Sequence, residues 1–217
     1  KTFFNEKKEK IKLNKFIKES EKLSMGNNVE KFEKKFSNFL NCRSTTMVNS
    51  GSSANLLLLQ SLKNLKKIKN GDKIGFSALT WSTNLMPIIQ LGFEPVPIDI
   101  NLKTLNISPR NLLASLKKEK IKCLFLTNVL GFSDDIMAIS RICKKKNILL
   151  IEDNCESLGS EFKGKKLGTF GFASTHSFYV GHHISSIEGG SVSTNDAKLS
   201  DMLKISRAHG WLRNIKN

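Results

Sequence analysis

The stretch Ser177-Phe178-Tyr179-Val180-Gly181-His182-His183-Ile184-Ser185-Ser186-Ile187-Glu188-Gly189-Gly190 gathers a hydroxyl, two adjacent imidazoles and a carboxylate in one short run. Imidazole is the side chain best suited to moving protons near neutral pH, with an unperturbed pKa of about 6.5. A histidine pair leading to Glu-Gly-Gly, just after the aromatic-bearing residues 172–178, reads as a turn that carries chemistry. Adjacent residues on a turn or strand point in different directions, so one histidine is expected to act and the other to pack or hydrogen-bond. His176 and His209 have no metal-type neighbours at ligand spacing. They are expected to be satisfied core or interface histidines, and no metal site is expected.

Three further places could bind or react. Asn49-Ser50-Gly51-Ser52-Ser53-Ala54 lies between a strand pattern and a leucine-rich helix. Free backbone N–H groups at a helix start, with the positive end of the dipole and nearby hydroxyls, suit a phosphate, although Gly and Ser are also ordinary turn and cap residues. Asp153 and Glu156 follow the apolar strand 147–151. They either face a ligand site or form a solvated acidic turn. Trp81 sits at a strand-to-helix turn, where packing is the ordinary fate of a tryptophan and a stacking platform the functional one; taken alone, packing is expected.

These residues need a scaffold. Strand patterns at 44–48, 72–77, 92–98, 121–127, 147–151 and 191–194 alternate with helix patterns, among them 29–40, the stretch after Ser50 through about 65, 136–146 and 196–207. Either Asn27 or Asn28 is placed to cap helix 29–40, the loop 131–134 to cap helix 136–146, and Ser108 with Pro109 to open a helix. Residues 163–169 read as a hairpin or tight turn. Apolar strands each followed by a helix predict a three-layer α/β/α domain with a mostly parallel sheet. No repeat or linker divides it, so residues 25–217 are read as one domain and residues 1–24 as an N-terminal arm or helix. The last residues, 213–217, continue a helical pattern without a closing element, as in part of a longer protein.

Composition narrows the function. The chain has 217 residues, with 35 Lys and Arg against 19 Asp and Glu, giving a net charge of +16. Yet the arginines are only Arg43, Arg110, Arg141, Arg207 and Arg213, and Tyr179 is the single tyrosine. A nucleic-acid groove would concentrate arginine and aromatics, so no nucleic-acid partner is expected. A basic, non-catalytic nucleic-acid-binding protein remains the alternative of another class. Cys42, Cys123, Cys143 and Cys155 form no C-x-x-C pair. Reduced thiols, no signal peptide and no apolar run of membrane-spanning length predict a cytoplasmic protein without a membrane partner.

Several motifs stand in a set order: Asn49-Ser50-Gly51-Ser52-Ser53-Ala54, Ile151-Glu152-Asp153, Gly168-Thr169-Phe170-Gly171, Ser177-Phe178 and Glu188-Gly189-Gly190. From Met25-Gly26 to Arg207-Ala208-His209-Gly210-Trp211 the chain resembles the DegT, EryC and StrS sugar aminotransferases, enzymes of fold type I that use pyridoxal phosphate. The resemblance implies that Asp153 pairs with the cofactor's pyridine nitrogen. It places Ser52, Ser53 and Ser177 at the phosphate, Trp81 over the ring and Glu156 beside the ring substituents.

Family aminotransferases tether the cofactor through a lysine five residues after that serine and six before that glutamate. Here the position is His182, and no lysine lies between Lys166 and Lys198. Imidazole cannot form the Schiff base that lysine provides, yet it retains proton transfer. The chain is therefore similar to the lysine-lacking branch, the nucleotide-sugar 3-dehydratases of deoxysugar and lipopolysaccharide O-antigen synthesis. That resemblance implies pyridoxamine or pyridoxal 5′-phosphate held without a covalent bond, a nucleotide-linked 4-keto-6-deoxy sugar as substrate, and His182 as the acid/base residue. Glutamate is the implied amino donor, and His183 is left to packing or hydrogen bonding. A sugar aminotransferase making a 4-amino sugar is the alternative. The resemblance also implies a homodimer and a smaller C-terminal domain that this chain lacks, so the chain on its own could be inactive.

Overall fold

The computed structural model describes residues 5–212. The helical pattern read at 213–217 lies outside the described residues. In chain order the elements are α1 (Glu6–Glu19), α2 (Asn27–Leu40), β1 (Ser44–Val48), α3 (Gly51–Asn64), β2 (Lys73–Ser77), α4 (Ser82–Gln90) and β3 (Glu94–Ile98). There follow α5 (Pro109–Leu116), β4 (Ile121–Thr127), a short 3-10 turn (Val129–Gly131), α6 (Ile136–Lys145), β5 (Leu149–Asp153), the hairpin β6 (Glu161–Phe162) and β7 (Lys165–Lys166), β8 (Ala173–Ser177), β9 (Gly190–Thr194) and α7 (Ala197–Arg207).

Seven strands form one sheet in the order β1-β9-β8-β5-β4-β2-β3. Strands β3, β2, β4, β5 and β8 run parallel, while β9 is antiparallel to both β8 and β1. The three-layer expectation holds. Side chains alternate across each strand, so Cys123 and Phe125 of β4 join α3, α4 and α7 in one core, and Leu124 and Leu126 join α5 and α6 in the other. A third cluster of Phe36, Leu40 and Phe178 seats α2 over the β8 end of the sheet, with Phe178 edge-on to Phe32 and Phe36. No residue of α1 is buried.

Two expected caps are corrected. Neither Asn27 nor Asn28 caps α2: the cap is Gly26, whose carbonyl takes the N–H groups of Val29 and Glu30, and the helix starts at Asn27 itself. Asp135 rather than Asp134 caps α6, because the Asp134 carboxylate is occupied by Asn101 and Thr104. Ser108 caps α5 as expected, with Pro109 at the first turn. Uniformly apolar strands were expected, yet β8 (Ala-Ser-Thr-His-Ser) and β9 (Gly-Ser-Val-Ser-Thr) are polar and buried along their whole length. Their ladder bonds satisfy the backbone, and small side chains let α3 cross closely over them.

The order of strands locates a crevice. β2 leads on to β3 on one side, and its other neighbour β4 leads on to β5 on the opposite side, so the connections diverge between β2 and β4. In open α/β sheets ligands bind beyond the carboxyl ends of the strands at such a switch point. Across this gap the hydroxyls of Thr80, after β2, and Thr127, ending β4, lie 2.7 Å apart.

Candidate active site

Three termini meet beyond the strand ends: the start of α3 and the ends of β5 and β8. Ser50 caps α3 through its hydroxyl, which accepts the Ser53 N–H at 3.0 Å. The N–H groups of Gly51 and Ser52 are then left at the helix mouth with no acceptor among the described residues, as helix geometry dictates. Glycine is required here by crowding. A Cβ on Gly51 would stand 2.7 Å from the Ser177 Cβ and 2.9 Å from the Cys155 sulfur. One on Gly190, at the start of β9, would overlap the Ser50 carbonyl. The two glycines let β8, β9 and α3 close around the helix mouth, whose free N–H groups have the chemistry that suits an anion.

The serines sit differently around that mouth. Ser52 is exposed at the first turn, and Ser177, 9% exposed, ends β8 with its Oγ accepting the Tyr179 N–H. Ser53 is drawn into the cap, where its Oγ accepts from the Ser50 hydroxyl at 3.1 Å. It also lines a cavity of about 910 Å³ with Leu56, Leu57 and Met47 on the other side of the α3 start. Of the expected site residues, that cavity touches Ser53 alone, so it is a separate feature.

The acids of Ile151-Glu152-Asp153 divide by strand period. Asp153 shares the face of Ile151 and meets α3 and α4. Its Oδ2 accepts from the Asn55 amide at 3.0 Å and the Asn84 amide at 2.6 Å, and its Oδ1 from the Cys155 N–H at 2.9 Å. It is 4% exposed and has no cationic partner among the described residues. A buried carboxylate wired to neutral amides and the Cys155 thiol carries a charge that no described cation balances, which suits a cationic N–H donor.

Glu152 turns the other way. Fully buried, it accepts the N–H groups of Gly168, Phe170 and Gly171, each at 2.7 Å, and so holds the Gly168-Thr169-Phe170-Gly171 turn against the sheet. Burial pushes its pKa above the usual carboxylate range, against the lowering effect of those donors. Burial and the charge of Asp153 together raise the Cys155 thiol well above its ordinary value, so it stays protonated and is no nucleophile.

Trp81 corrects the packing expectation. It is 64% exposed at the start of α4, and its ring is fixed by an Nε1–H bond to Glu156 Oε1 at 3.1 Å. Glu156 Oε2 accepts the Leu130 N–H at 2.9 Å. Glu156 thus ties the tryptophan to the loop after β4, and no solvated acidic turn is formed.

His182 is half-buried on the loop after β8. Its N–H donates to the Tyr179 carbonyl at 3.0 Å, and its ring lies 6.2 Å from the Tyr179 ring, edge-on. No hydrogen bond joins it to Asp153, Trp81 or Glu156 among the described residues. His183 is exposed and makes no described packing or hydrogen-bond contact, contrary to expectation, because the turn points it outward. His176 is buried, but the expectation of a satisfied histidine fails. It lies edge-on to Phe36 with its Nδ1 unpaired, and burial pushes its imidazole down to about 3.

Sequence reasoning overlooked Asn55, Asn84 and Glu152. The available signal was an asparagine inside the run Ala54-Asn55-Leu56-Leu57, a polar residue where the helix face is otherwise apolar.

The family model described as the DegT/DnrJ/EryC1/StrS aminotransferase family matches residues 5–217. The chain is 41% identical to the GDP-4-keto-6-deoxy-D-mannose 3-dehydratase of Yersinia pseudotuberculosis over 92% of this chain and 51% of that protein. Among solved structures, it superposes with a TM-score of 0.85 on the Escherichia coli GDP-4-keto-6-deoxy-D-mannose-3-dehydratase with bound hydrated PLP, at 38% identity over 88% of this chain and 50% of that one. It matches equally, at 36% identity over the same shares, a GDP-4-keto-6-deoxymannose-3-dehydratase with a trapped PLP-glutamate geminal diamine. The chain spans about half the length of the relatives it matches. The chain belongs to the DegT/DnrJ/EryC1/StrS aminotransferase family.

Proposed function

We propose that this chain, in residues 25–217, is the cofactor-binding domain of a nucleotide-sugar 3-dehydratase that uses pyridoxamine 5′-phosphate to remove the C3 hydroxyl of a 4-keto-6-deoxy hexose. The observation that carries the reading is His182, on the loop between Ser177 and Glu188-Gly189-Gly190, in a stretch without lysine from Lys166 to Lys198. The residues fit the cofactor. A helix mouth with unpaired N–H groups and the Ser52 and Ser177 hydroxyls suits its phosphate, and a buried acid without a cation suits its protonated ring nitrogen. Ser53 is assigned to the same phosphate, through a hydroxyl now shared with the cap. Trp81 is the stacking platform, and Glu156, beside the ring substituents, fixes it.

When bound, the cofactor would supply an amine to condense with the C4 ketone and a ring that takes up the electrons freed as C4′ loses its proton and returns them as the C3 hydroxyl leaves. Asp153 keeps the ring nitrogen protonated, which sustains that electron demand. His182 carries the proton to and from the C4′ carbon. Lacking a lysine, the chain holds the cofactor by the phosphate cradle, Asp153 and Trp81 alone. The nitrogen would leave as ammonia when water restores the C4 ketone of the product, and glutamate, departing as its 2-keto acid, would resupply the amine with His182 again moving the proton. This support comes from dehydratase relatives, one solved with a PLP-glutamate adduct. The setting we assign is a cytoplasmic homodimer serving surface-polysaccharide synthesis; light scattering at micromolar concentration should return twice the chain mass.

The test is product analysis with GDP- and CDP-linked 4-keto-6-deoxy sugars, cofactor and glutamate. A 3-deoxy ketone is expected; a stable amino sugar would establish the aminotransferase alternative instead. After borohydride treatment the cofactor should still dialyse away, and a cofactor fixed to lysine would overturn the reading.

A further inference from the structure

The contacts around Asp153 form a directed chain. The Asn84 side chain is fully buried and donates to Asp153 Oδ2 at 2.6 Å. An amide can be flipped, and its orientation is set by whatever its oxygen meets. Here the Asn84 oxygen accepts from the Thr80 hydroxyl at 3.0 Å. A hydroxyl has one proton, so Thr80 must in turn accept from Thr127, whose hydroxyl lies 2.7 Å away. Every donor therefore points the same way, from Thr127 at the end of β4, through Thr80 and Asn84, to Asp153 at the end of β5. Asn55 is fixed independently, since its amide donates both to Asp153 and to the Thr83 carbonyl.

We propose that Thr80 is a positioning residue for Asp153: by anchoring the oxygen end of the Asn84 amide, it steadies the Asp153 carboxylate in the place where it meets the ring nitrogen of the cofactor. This rests on the cofactor reading above. Aligned donors polarise one another and strengthen the last bond in the series. Without the Thr80 proton the Asn84 oxygen loses its donor, so the amide still points its N–H at the carboxylate but is held at one end only, and the ring-nitrogen contact weakens. Thr80 touches neither Ser52 nor Ser177, so the phosphate cradle is untouched by its loss.

The test compares pyridoxamine phosphate with its deaza analogue, in which carbon replaces the ring nitrogen, by fluorescence titration of the full chain. Wild type should bind the natural cofactor more tightly, and Thr80→Val should cut that preference about tenfold, the scale of one charge-assisted hydrogen bond. Thr80→Ser, which keeps the proton, should restore it. Thermal unfolding without cofactor separates a general loss of fold from this selective effect. If Thr80→Val weakens both compounds equally, or neither, the positioning role is overturned while the cofactor reading stands. If wild type itself fails to prefer pyridoxamine phosphate, the cofactor reading falls and the inference with it.

Discussion

Asp153 and His182 belong to one proposed site but are held in opposite ways. Asp153 ends a central strand and takes three hydrogen bonds from three separate segments, all within the core. His182 hangs from a loop, anchored by one backbone bond and a ring contact to Tyr179. The difference matches the tasks proposed for them. A group that fixes a ring nitrogen gains from rigidity, because each misplaced ångström costs binding. A group that moves a proton between two partners gains from room to shift, and a lysine tether would remove the need for a rigid core around the ring.

Breaking the junction between the two regions should have the largest effect. Gly190→Ala forces a methyl into the Ser50 carbonyl, and we expect a loss of about 3 kcal/mol or more in urea denaturation, the upper range for overpacking. Next comes the contrast itself. His182→Asn should lower turnover by about 10²–10⁴-fold, the usual contribution of a general acid/base group, with cofactor affinity nearly unchanged. Asp153→Asn should lose the cofactor outright. Equal effects of the two on affinity would erase the distinction.

Glu152→Gln tests the other acid of β5. It sets an amide against backbone donors and should cost about 1–3 kcal/mol in stability. Because burial raises the folded pKa of Glu152, its stabilisation is fullest in acid and declines as pH rises through the raised value, so the gap between wild type and variant should narrow as pH rises.

The smallest expected effect lies beneath the histidine loop. The folded pKa of His176 is depressed to about 3, so its neutral form supports the fold above about pH 6.5 and that support is lost as pH falls toward 3. His176→Leu should flatten the acid limb of the stability profile by about 2 kcal/mol between pH 6.5 and 4.5. An unchanged slope would place the acid sensitivity elsewhere.

The alternation of elements was legible because strand and helix periods differ and because Ser108-Pro109 is an unambiguous start. β1 and β4 fall at the expected residues. What escaped was whatever depends on partners far along the chain. Nothing local says that Asn84 reaches Asp153, or that Glu152 turns toward a later glycine turn. Taken alone, without the resemblance that put it over a ring, Trp81 read as a packing residue, because exposure is set by neighbours such as the Glu156 carboxylate that no local pattern reveals. The polar strands β8 and β9 were hard to read because hydrophobicity marks burial only where side chains are large enough to need it.

One feature of the sheet bears on how the chain matures. Among the described residues β1 is an edge strand paired with β9 alone, and Thr45 meets Ser193 across 148 residues of sequence. Closing so long a loop is slow and entropically opposed. During synthesis the parallel strands β2 to β5 can pair while β1 waits, unpaired, for β9 to leave the ribosome. The helix mouth, built where α3 leaves β1 and meets β8 and β9, is therefore completed late. A cofactor held at that mouth would bind only after β9 has paired with β1.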